Sequence, residues 1–154
     1  MPTDSELLKV AALMVMRAKA IQNRLLTVQN SIRCESLEIE ILEEETLNSE
    51  NRLREIEIYI VEVQEDMDAC HSGMTYQEYS SELRELQAER HGELDLLQQS
   101  FLMRKSHEEK KRELEVNEAS LQTNLKELHM QCCNLWDWVS QTSQHAITPP
   151  LKCL

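Results

Sequence analysis

The residues of this chain with the most reactive side chains are its cysteines, at 34, 70, 132, 133 and 153, and its histidines. Two of their groupings invite a chemical reading. His129-x-x-Cys132-Cys133 has metal-ligand character, because its members could share one helical face. A structural zinc, however, requires four ligands in tetrahedral array, and Cys34 and Cys70 fall far from the group. These thiols therefore read as packing residues, and neither a metal nor a cofactor is expected. Cys70-His71 pairs a nucleophile with a base in sequence. Nothing nearby would orient the base or stabilise an oxyanion, so the two read as a helix-seam residue and a turn residue. The many carboxylates read as solvated helix faces rather than a glycosidase-like acid pair. The basic stretch from Arg104 to Arg112 is interleaved with Glu108 and Glu109, which argues against a phosphate or acidic-lipid site. The chain is read as a non-enzyme with no small-molecule substrate.

The most informative short segment is Asn134-Leu135-Trp136-Asp137-Trp138-Val139. It holds both tryptophans of a chain that is only 4% aromatic. Tryptophan is enriched at interface hot spots. Two readings stand: a contact surface for a partner or a second copy, or a plug within one molecule. Leu7, Leu8, Val10, Leu13 and Val15 form the other apolar end segment. With Met130, Leu135, Trp136, Trp138 and Val139 they are the candidate protein-interface residues.

Composition narrows the elements that could carry these groups. Two glycines and three prolines fall far short of the roughly 18 that average usage gives. No proline lies between Pro2 and Pro149. Sheet folds need frequent turns built from such residues, so sandwiches, barrels, doubly wound folds and glycine-rich phosphate loops are excluded. The net charge of -12 is unevenly spread: residues 1–34 carry +3, residues 35–103 carry -15, and residues 104–154 are neutral. An acidic middle repels phosphate backbones, so nucleic-acid binding is not expected. No apolar run approaches the roughly 20 residues of a membrane helix. Asp4 and Glu6 stand where a secretory signal would carry bases, and the odd, irregular cysteines read as reduced thiols. The expectation is an intracellular protein, cytoplasmic or nuclear.

Thr3-Asp4-Ser5-Glu6 is a capping box that starts a helix. From it runs a strict seven-residue pattern, with position a at 11, 18, 25 and so on to 74, and position d at 7, 14, 21 and so on to 70. Seventeen of these twenty residues are apolar, where a 41% hydrophobic chain would place about eight by chance. Ten repeats in phase predict a left-handed coiled coil. Glu35, Thr46 and Ser49 are the exceptions, and read either as a loose stretch of seam or as a polar layer that sets register. His71-Ser72-Gly73-Met74 breaks the pattern, and Thr75-Tyr76-Gln77-Glu78 is a second capping box. The second helix is expected to use Tyr79, Leu83, Leu86, Arg90, Leu94, Leu97 and Phe101, with a stutter around Gly92. Its seam resumes at Leu114 and ends at Val139.

The expected fold is all-α: an antiparallel helical hairpin over residues 1–139 forming a long coiled coil, with helix 4–71, turn 72–75 and helix 76–139. A flexible tail covers 140–154. Facing residues should have numbers summing to about 146, which sets the basic stretch 104–112 opposite Glu35 to Glu45. Leu26, Leu37, Ile41, Leu47, Ile58 and Val61 lie off the seam. They predict a second buried face and assembly into a three- or four-helix rod.

In architecture and composition the whole chain resembles the small all-helical coiled-coil subunits of kinetochores, centrosomes, cilia, meiotic chromosome axes and tethering complexes. The resemblance implies a non-catalytic scaffold or spacer subunit of a larger assembly, whose partners are other coiled-coil proteins or itself. The alternative is a regulatory adaptor for an enzyme or motor, switched by phosphorylation of the tail near Thr148.

Overall fold

The structure is a computed structural model that describes residues 3–69 and 75–142. Every described residue except Thr3 and Thr75 is helical, and no strand occurs among them. Helix α1 spans Asp4–Ala69 and helix α2 spans Tyr76–Thr142. Each begins at a capping box. Glu6 N–H donates to Thr3 Oγ1 at 3.3 Å while Thr3 N–H donates to Glu6 Oε2 at 2.8 Å. Thr75 and Glu78 repeat the exchange at 3.3 and 2.6 Å. Two of the four orphan donors at each helix start are satisfied this way. The expected turn at Gly73, the pair Cys70-His71, and the tail beyond Thr142 lie outside the described residues.

The chain divides into two compact units. Unit 1 joins residues 1–34 to 111–154, and unit 2 is residues 35–110. Each unit pairs one segment of α1 with one segment of α2, and in unit 2 the two run antiparallel. In unit 2 the direction is explicit, since Glu35 meets His107, Arg52 meets Glu93 and Glu57 meets Arg90.

Burial along α1 follows the seven-residue pattern. Every a and d position from Leu7 to Met67 is buried or half-buried, and only Val15, Gln29, Ser31 and Ser36 join them from elsewhere. In unit 1 the deepest residues are Ala18, Val28, Leu121, Leu128 and Cys132; in unit 2 they are Leu42, Ser49, Val63 and Tyr79. None of the described side chains is fully enclosed, because two helices in one layer cannot surround a side chain.

Between residues 93 and 107 the seam of α2 departs from the expectation. Glu93, Leu97, Ser100, Arg104 and His107 are the residues turned away from solvent, at unbroken spacings of four and three. Leu94 and Phe101 lie outside, the latter 55% exposed. No stutter occurs at Gly92. The reason lies on the partner helix. The repeat of α1 has no break, and a phase shift on one helix of a pair needs a matching break on the other. Phase is therefore kept, at the cost of polar residues inside and apolar ones outside.

Candidate interaction surfaces

The polar seam of unit 2 is held by specific partners. His107 Nδ1 lies 2.5 Å from Glu35 Oε2, both side chains being about one-fifth exposed. Arg52 links two others: its Nε donates to Glu93 Oε1 at 2.9 Å and its Nη2 to Ser49 Oγ at 3.1 Å. The hydroxyl of Thr46 donates to the Leu42 carbonyl of its own helix at 2.7 Å. Glu35, Thr46 and Ser49 are thus partnered positions. The second oxygen of Glu93, Oε2, is buried without a partner, a costly arrangement for a carboxylate. Of the basic stretch opposite the glutamates, Arg104 turns to Glu108 one turn along its own helix, at 3.6 Å, and among the described contacts His107 alone reaches across to them, at Glu35.

Polar residues in the seam displace apolar ones to the surface. In ten residues of α2, Leu94, Leu96, Phe101, Leu102 and Met103 are all exposed. The α1 segment of the same unit exposes Leu37, Ile41, Leu47, Ile58 and Val61. A shallow groove here is lined by Ile56, Tyr59, Gly92 and Leu96, with Arg52 and Glu93 at its edge. A Cβ built on Gly92 would meet nothing within 4 Å.

Unit 1 contains the candidate end segments. Leu7 and Leu135 are half-buried at seam positions, with Val15 and Trp136 half-buried beside the seam. Leu8, Val10, Leu13 and Met130 are exposed, Leu13 and Met130 each 64%. The side chains of Trp138 and Val139 lie outside the described ones. Cys132 is buried in the seam, and Cys133 Sγ lies 3.7 Å from His129 Nε2 along one face of α2. Among the described residues no three His, Cys, Asp or Glu side chains converge as metal ligands would. A second groove in this unit is lined by Arg17, Arg24, Asn124 and Gln131 over Ile21 and Leu128.

The chain matches no known protein family, no curated protein and no solved structure. No described helix is long and apolar enough to cross a membrane.

Leu94 and Phe101 are apolar at helical spacing, so the sequence pattern places them in the seam, yet both are exposed. The surface they form follows only from keeping α2 in phase with α1.

Proposed function

We propose that this protein is a non-catalytic scaffold or spacer subunit of a larger intracellular assembly, built as a coiled coil that joins others in a three- or four-helix rod. The observation that carries the reading is the second set of apolar residues. Ile41, Leu47, Ile58 and Val61 on α1 are each at least half exposed, on a chain that already buries a complete seam. Single exposed apolar residues are ordinary. A repeated set along one helix is a contact surface. The binding energy for partners lies along that face and at the apolar ends of unit 1, where Leu13, Met130 and the tryptophan segment stand.

The test is fractionation of native extract followed by capture with the full chain. A scaffold subunit co-elutes with helical partners in fixed stoichiometry, and deletion of residues 140–154 leaves that complex intact. A chain that elutes without partners overturns the reading. Loss of the partner on removing the tail replaces it with the adaptor.

A further inference from the structure

Helix α1 is uninterrupted from Asp4 to Ala69, and it carries two apolar stripes on opposite sides. Positions a and d form the seam. The exposed residues Met16, Leu37 and Ile58 all fall at position f, which points directly away from a and d; Leu26, Leu47 and Val61 fall at b, and Leu13 and Ile41 at c, beside it. The second stripe is not a widened seam. From Arg17 to Glu57 every residue at the intervening e and g positions is polar or charged.

We propose that a second copy of this chain covers the outer stripe, α1 against α1 in antiparallel order, with facing residue numbers summing to 74 and Leu37 on the two-fold axis. An isologous interface must be complementary to itself, and the f positions meet this requirement when read in both directions. Met16 faces Ile58, Asn23 faces Asn51, Lys9 faces Glu65, and Leu37 faces its own copy. At the flanks Leu13 faces Val61 and Lys19 faces Glu55, while Arg17 and Arg24 face Glu57 and Glu50. Shifting the register by one repeat destroys the match at the f positions, although a sum of 67 pairs Leu26 with Ile41, which a sum of 74 sets on Asn48 and Arg33. A sum of 67 sets Met16 on Asn51 and Leu37 on Asn30, and a sum of 81 sets Met16 on Glu65 and Asn23 on Ile58.

Charge selects both the direction and the occupant. Residues 1–34 carry five bases and two acids, and residues 35–69 carry two bases and thirteen acids. Antiparallel pairing sets the basic segment of each copy on the acidic segment of the other. Parallel pairing sets acid on acid along half the helix, which is strongly disfavoured. The result is a four-helix assembly in which each α1 lies between its own α2 and the α1 of the other copy. The proposal rests on the scaffold reading in one respect only, that the outer stripe is a contact surface.

Sedimentation equilibrium of the full chain, at micromolar concentration and physiological salt, tests it. The expected mass is twice that of one chain. Leu37→Glu, at a position exposed in the single chain, should give the single-chain mass with an unchanged helical circular-dichroism signal. Lys19→Glu should weaken the dimer, and adding Glu55→Lys to the same chain should restore it. A monomer across the concentration range overturns the proposal and leaves the stripe to a different protein. So does a dimer indifferent to Leu37→Glu, or one that the charge exchange does not rescue. Failure of the scaffold reading would appear separately, as a dimer that captures no partner.

Discussion

At the scale of single residues, unit 2 is organised by polar groups in a place usually given to leucine. Glu35 and His107 occupy facing seam positions and contact each other. A partly buried pair gains from mutual attraction and loses hydration, and the two terms nearly cancel. Removing one partner is different, because the other is left desolvated. Glu35→Ala should therefore lower stability by about 1 kcal/mol, the order of one ordinary hydrogen bond. Glu35→Leu with His107→Leu should equal or exceed the parent, because the same space is filled by apolar groups. Urea unfolding midpoints with unchanged slopes would measure both. A double variant less stable than the single one would mean that the pair contributes more than its volume.

At the scale of the helix, continuity of phase outranks local preference. Over residues 93–107 the most hydrophobic path along α2 runs through Leu94 and Phe101, yet the helix turns Glu93, Ser100, Arg104 and His107 inward. Gly92 stands at the start of this stretch, in mid-helix and with open space where a side chain would sit. A helical glycine costs about 0.5–1 kcal/mol relative to alanine, and nothing within the described molecule requires it. Gly92→Ala should raise the unfolding free energy by that amount, read as a higher unfolding midpoint. An unfolding midpoint that stays unchanged or falls would contradict the helix-propensity argument at this site.

At the scale of the molecule, stability and assembly are coupled. A single layer of two helices leaves no described side chain fully enclosed, and each leucine-sized side chain buried in a contact adds about 1.5–3 kcal/mol when burial is complete. The chain thus has much to gain from association and little enclosed core without it. The α1-to-α1 contact proposed above does not use α2, which carries the tryptophan segment, so the two surfaces can be separated. Trp136→Ala with Trp138→Ala should leave helix content near the parent value and leave the dimer mass unchanged, while reducing capture of partner by tenfold or more, on the order of one hot spot. Light scattering and quantitative capture give the two readouts. Undiminished capture would make the tryptophans an internal plug.

The sequence by itself determined the helices, their starts and the seam of α1. The two threonine capping boxes are local chemistry, complete within four residues each, and the fifteen apolar seam positions of α1 share one phase without interruption. Such signals need no knowledge of the rest of the chain. The seam of α2 was legible from Tyr79 to Leu86 and again where its leucines recur regularly, from Leu114 to Leu135. Between Glu93 and His107 the decision belonged to the tertiary structure, because a helix packed along its length on an unbroken repeat cannot change phase alone. That constraint carried Glu93 and Arg104 inward and left Leu94, Phe101 and Met103 on the surface. The off-seam apolar residues of α1 were visible in the sequence as well. Their place across the helix from the seam, behind polar flanks, follows from the same heptad numbering, and the packing added that α2 leaves them exposed.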